Sequence, residues 1–148
     1  MPGARRRCGR ERPVSVMLTT HDVGERWAAA LRAADFAGLG RCLAPDVRIR
    51  ALLPSRFADA SGRDEAVALL REWLGGDRGF AVLAASSGTV GDVLRLDYRV
   101  RIFGPEPCLM EQHAYGRVGP DGIADLRQVC SGWRPVPSPV PMGAPAGG

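Results

Sequence analysis

Two hydrophobic periods divide the chain. Between Asp22 and Leu74 apolar residues mostly recur every three or four positions, and from Phe80 onward they mostly alternate. The first period predicts three helices. Helix one begins at Asp22, an N-cap with Glu25 at the third position after it, and sets Val23, Trp27, Ala30, Leu31 and Ala34 on one face. Asp35 caps a short second helix carrying Phe36, Leu39 and Leu43, stopped near Pro45. Helix three spans about 63–74, with Val67, Leu70, Trp73 and Leu74 on its buried side and Gly75-Gly76 at its end.

The second period predicts strands. A first one, 47–53, interrupts the helices, and 54–62 reads as a loop. Strands follow at 80–90, with a bulge expected at Ser87-Gly88, then 93–103, 109–118 and 123–133. Gly91-Asp92 and Gly119-Pro120-Asp121-Gly122 mark the turns. The order helix, helix, strand, helix, then a four-stranded antiparallel run is α+β, with helices on one face of a curved sheet. Such a sheet leaves a conical cavity, a usual place for a small ligand.

The 148 residues suit one domain, and the apolar fraction of 45% suits a buried core. The expected division is a basic tail over 1–19, a domain over 20–134 and a tail over 135–148. All the basic residues are arginine. The net charge of +4 resides in the first 16 residues, five arginines against Glu11, leaving the remainder neutral. That segment reads as a disordered extension or an over-long start before Met17. No nucleic-acid partner is expected, because the excess charge lies off the folded domain. From Arg134 onward five prolines exclude ladder or helix, so a disordered or polyproline-like tail is expected.

Neither a membrane span nor a secretory signal is expected, which points to the cytoplasm. Cys8, Cys42, Cys108 and Cys130 form no Cys-x-x-Cys pair and have no histidine at ligand spacing, so reduced thiols and no zinc are expected.

Several local motifs in this order resemble the nuclear transport factor 2-like superfamily, and within it the SnoaL-like proteins. They are Trp27 to Asp35, Leu43 to Val47, Gly62 to Leu74, Gly91-Asp92-Val93, and Asp121-Gly122-Ile123 before the last strand. Glu111-Gln112-His113 and Cys130-Ser131-Gly132-Trp133 look like an uncharacterised bacterial branch. The resemblance covers about residues 20–134. It implies a cone-shaped α+β barrel, three N-terminal helices packed on a curved, mainly antiparallel sheet, commonly dimeric through the outer sheet face. The superfamily holds steroid isomerases, polyketide cyclases, epoxide hydrolases, dehydratases and non-catalytic binding modules, so fold does not settle function.

Alternation sorts the strand residues by face. Leu94, Leu96, Tyr98 and Val100 point toward the helices, as do Gln112 and Ala114 on the fourth strand and Leu126, Gln128 and Cys130 on the last. With Trp27 and Leu31 from helix one, the expected ligand-binding set is Trp27, Leu31, Tyr98, Gln112, Ala114, Leu126, Gln128 and Cys130. It is apolar with a few neutral hydrogen-bonding groups and offers no carboxylate or imidazole. The family comparison agrees. Gln128 stands where related epoxide hydrolases carry a catalytic aspartate, and Leu96 and Tyr98 where they carry arginine and aspartate. Trp27 and Ala51 stand near the phenol and aspartate positions of the steroid isomerases.

His113 with Glu111 is the acid–base candidate. They lie two apart on one strand face, about 7 Å between Cα atoms, close enough for a carboxylate to orient an imidazole. The register puts them outside, beside Arg99 and Arg101, and one bulge would turn them inward.

Two functions remain open. One is a cofactor-free isomerase, cyclase or dehydratase acting on a small hydrophobic, polyketide- or steroid-like metabolite. The other is a non-catalytic homodimeric module that binds a ligand or a protein.

Overall fold

The structure, a computed structural model, describes residues 18–137. Three helices, α1 (Thr20–Arg32), α2 (Phe36–Arg41) and α3 (Arg63–Trp73), pack on a curved sheet of seven strands. The strands are β1 (Leu43–Leu53), β2 (Arg56–Ser61), β3 (Phe80–Val90), β4 (Val93–Ile102), β5 (Cys108–Gly119), β6 (Gly122–Cys130) and β7 (Arg134–Pro135). Their order is β2-β1-β6-β5-β4-β3, with β7 beside β5. All pairings are antiparallel except β1 with β6. The sheet's two ends, β2 and β3, do not pair with each other, so the cone is open.

The expected α+β order holds, with local corrections. The cap of α1 is Thr19 rather than Asp22. The Thr19 hydroxyl accepts from the Asp22 N–H at 3.1 Å and the Asp22 carboxylate accepts from the Thr19 N–H at 3.2 Å. This is a complete capping box whose cap lies three residues earlier in the chain. β1 starts at Leu43, ahead of Pro45, and its register against β6 shifts between Leu43 and Arg48, where proline supplies no donor. The expected loop 54–62 contains β2, a hairpin partner of β1. The bulge of β3 lies between Val82 and Ala84, not at Ser87-Gly88. The last long strand ends at Cys130, and Arg134–Pro135 pairs with Leu109 and Cys108. The proline-rich end therefore does contribute a short ladder at its first two residues. The rest of the two expected tails, 1–17 and 138–148, falls outside the described residues.

Two glycines set how closely the layers approach. A Cβ on Gly24 of α1 would come within 2.8 Å of the Ser87 Cβ on β3, so the helix lies directly on the sheet there. Gly122 adopts φ +114°, and a Cβ would meet the Cys42 carbonyl oxygen at 2.6 Å. That contact lets the Ile123 N–H donate to the same carbonyl at 2.8 Å, tying the end of α2 to the start of β6. At the opposite end the Trp133 indole N–H donates to the Trp73 carbonyl at 3.0 Å, fastening the last turn of α3. One core lies between helices and sheet, with Trp27, Trp73, Leu31, Leu39 and Leu96 among its largest fully buried side chains.

Candidate functional site

Alternation along β4, β5 and β6 directs one residue in two toward the helices. All eight residues expected to bind ligand lie on that inner side, each no more than 4% exposed: Trp27, Leu31, Tyr98, Gln112, Ala114, Leu126, Gln128 and Cys130. Register builds two adjacent inner rungs. Tyr98 pairs with Gln112 and Gln112 with Cys130. Leu96 pairs with Ala114, Ala114 with Gln128, and Gln128 with Ala51 on β1.

The polar groups of these rungs are unequally served. The Tyr98 hydroxyl donates to Gln112 Oε1, and the Gln112 amide reaches the Met110 sulfur at 3.8 Å. Burial pushes the Tyr98 phenol far above its ordinary value, so it remains a neutral donor. The Cys130 sulfur accepts the Gly132 N–H at 3.4 Å. Gln128 has no partner among the described residues on either Oε1 or Nε2, and the Trp27 indole N–H is also unpaired. A buried amide left without partners costs about 1–3 kcal/mol per group. The two side chains flanking Gln128 on neighbouring strands are alanines, Ala51 and Ala114, the smallest that carry a Cβ.

His113 and Glu111 stand on the other side of the sheet. No bulge turns them inward, because the β4–β5 register runs unbroken from Leu94/Gly116 to Ile102/Cys108. There they join a chain of charges. Arg95 pairs with Asp97, Asp97 Oδ1 contacts His113 Nδ1 at 2.7 Å, His113 Nε2 contacts Glu111 Oε1 at 3.2 Å, and Glu111 Oε2 pairs with Arg99 at 3.2 Å. The hydrogen bond to Asp97, foremost, raises the His113 pKa, and Glu111 adds to it. Both ring nitrogens face carboxylates, so the protonated ring satisfies both. The arrangement neutralises charge on an exposed surface and places no acid or base near the inner rungs.

Two hollows escaped the sequence reading. One, of about 570 Å³, lies between α1, α2 and the β5–β6 turn, with Arg26, Arg41 and Cys42 in its wall. Burial raises the Cys42 thiol pKa, which keeps it protonated. The other, of about 540 Å³, lies along β1, β2 and β6 and is lined by Arg48, Arg50, Arg127, Leu52 and Phe57, with Ala51 and Gln128 of the inner rung also at its border. Its signal in the sequence was the Arg48/Arg50 alternation, but without β2 there was no second wall. Cys42, Cys108 and Cys130 are free thiols. Among the described residues no three histidine, cysteine, aspartate or glutamate side chains are grouped as a metal site would require, and no helix is long and apolar enough to cross a membrane.

No family model matches the chain, and no curated protein matches it in sequence. Solved structures do match in fold. A candidate polyketide cyclase from Xanthomonas campestris superposes with a TM-score of 0.59 at 13% identity, covering 74% of this chain and 88% of that one. An LEH-like epoxide hydrolase from M. tuberculosis gives 0.57 at 21% identity, covering 76% and 82%. A nuclear transport factor 2-like protein of unknown function from Cytophaga hutchinsonii gives 0.56 at 14%, covering 77% and 91%. Together with the helix order and the sheet topology, these likenesses show that the chain has the cone-shaped α+β fold of the nuclear transport factor 2-like proteins.

Proposed function

We propose that this chain is a small-molecule-binding protein that holds a hydrophobic metabolite on the inner face of its cone without transforming it. The observation that carries the reading is Gln128. A carboxamide 3% exposed, with neither its oxygen nor its nitrogen partnered among the described residues, is a costly feature in a largely apolar interior. A ligand bearing a hydroxyl or carbonyl beside Ala51 and Ala114 would satisfy it, and the Trp27 indole N–H offers a second donor. Leu31 and Leu126 would complete an apolar wall, with the paired Tyr98 and Gln112 and the Cys130 thiol beside it.

An isomerase, cyclase or dehydratase step needs a general acid or base at the ligand. The inner groups here are a phenol with a raised pKa, neutral amides and a buried thiol, while Glu111 and His113 are outside. A polyketide- or steroid-like ligand fits the fold's company of polyketide cyclases and epoxide hydrolases, and binding is the simpler chemistry for these side chains. The reading makes 20–134 the working domain of a cytoplasmic protein that needs no cofactor. Exposed Tyr115 and Val129 on the outer face of β5 and β6 are the surface a homodimer would use.

Native mass spectrometry of the chain purified from its own host tests the proposal. The expected result is a reproducible small-molecule adduct that disappears in Gln128→Leu. That variant should also be more stable than the ligand-free parent, by about 1–3 kcal/mol, because it removes the orphaned amide. An adduct that persists in Gln128→Leu, or a parent with no adduct whose stability falls on this substitution, refutes it.

A further inference from the structure

The outer hollow along β1, β2 and β6 carries a charge pattern that the rest of the sheet avoids. Arg48 and Arg50 are two apart on β1 and point to the same face. Arg50 sits directly beside Arg127 in the β1–β6 register. Like charges directly opposite one another destabilise a sheet. On the β4–β5 half of the same face, Arg95 and Arg99 each pair with a carboxylate. Here, among the described residues, Arg48 and Arg50 have no ion pair, and Arg127 has only Asp125 at 3.9 Å. Asp59, beside Arg50 on β2, is the one carboxylate in the lining, against three guanidiniums.

Next to this cluster stands an apolar rung. Phe57 pairs with Leu52 across β1 and β2, and the two are 82% and 45% exposed. An exposed ring beside three arginines is an arrangement for a flat apolar body attached to an anion. The hollow's volume, about 540 Å³, lies within the range of small-molecule sites.

We infer that this groove binds a small organic dianion with an aromatic body, of which a phosphate monoester is the simplest example. Guanidinium groups grip phosphate oxygens in pairs, and the surplus of two positive charges in the lining matches the dianion. The ring would rest against Phe57 and Leu52. The bound anion would also relieve the Arg50–Arg127 repulsion. The arginines and Phe57 point away from the inner rungs, although Ala51 and Gln128 also border the hollow, and the inference rests on those outward side chains rather than on the proposal made for the inner face.

Isothermal titration of the full chain with phenyl phosphate and with inorganic phosphate tests the inference. Phenyl phosphate should bind about tenfold or more tightly than inorganic phosphate. Arg50→Gln and Arg127→Gln should each weaken phenyl phosphate about tenfold or more, while Arg101→Gln, remote on β4, should not. Both groove arginines are exposed, so the variants should fold. Without ligand, each should melt about 2 °C higher than the parent as the repulsion is lifted. Equal affinity for the two probes, or affinity unchanged in both groove variants, overturns the inference. So does a groove that instead seats a second copy of the chain, seen as no phenyl phosphate binding together with a sedimentation coefficient altered by Arg50→Gln.

Discussion

Consecutive rungs of the β4–β5 ladder, Tyr98/Gln112 and Asp97/His113, solve the same pairing problem on opposite faces of the sheet. The inner rung uses a neutral hydroxyl and a neutral amide, fully enclosed. The outer rung uses a carboxylate and an imidazole, about half of whose side-chain surface is open to solvent. One residue of displacement exchanges the two environments. Inside, an ionised group would bear a large desolvation cost, so the chain places neutral groups there, and each costs free energy wherever it lacks a partner. Outside, water and salt screen the charges, so pairing is cheap to make and cheap to lose.

That contrast makes graded expectations. Leu96→Ala, beside Tyr98 on the adjacent inner rung, should have the largest effect, a loss of about 2–5 kcal/mol in chemical denaturation. A loss under about 1 kcal/mol would mean that the inner face is already loosely packed around Ala114 and Gln128. Tyr98→Phe should cost about 1–3 kcal/mol, because it strands the Gln112 oxygen. The double variant Tyr98→Phe with Gln112→Leu should recover much of that loss. If the double variant is as unstable as the sum of the two single changes, the Tyr98–Gln112 bond is not what the inner rung depends on.

The inner rungs were legible in the sequence because β4 alternates strictly between leucine, tyrosine, valine or isoleucine and charged residues. That pattern places side chains by face without knowledge of their neighbours. The three helices were legible through apolar spacing. β2 was hidden because its inward residues are Ala58 and Ala60 and its bulky Phe57 faces out, so the hydrophobic signal runs against the fold. β7 was hidden behind Pro135, which pairs only at the end of β5 where β6 has already stopped. That Gln128 lacks a partner among the described residues could not be read either. It depends on which side chains occupy β1, and β1 reaches β6 through a parallel pairing between segments far apart in sequence. The same limit applies to Asp97, whose link to His113 is set by cross-strand register alone.

The smallest effect belongs to the outer rung and is set by pH. His113 gains two carboxylate partners on folding, so its pKa in the native chain lies above the ordinary histidine value. The protonated ring therefore stabilises the native state fully below the unfolded value, about 6.5, and that contribution is lost as pH rises through the higher native pKa. Arg95 and Arg99, at the two ends of the same chain of charges, oppose the protonated ring and compete for its carboxylates, and the side chain is about half exposed. The total should stay below about 1 kcal/mol and shrink with added salt. Denaturation of the parent and of His113→Gln from pH 6 to 9 would show it: the parent's advantage should be greatest at the acid end and fade toward the alkaline end. A parent that instead gains stability over His113→Gln as pH rises would show that the ring is held neutral, and that the Asp97 and Glu111 contacts form without the proton.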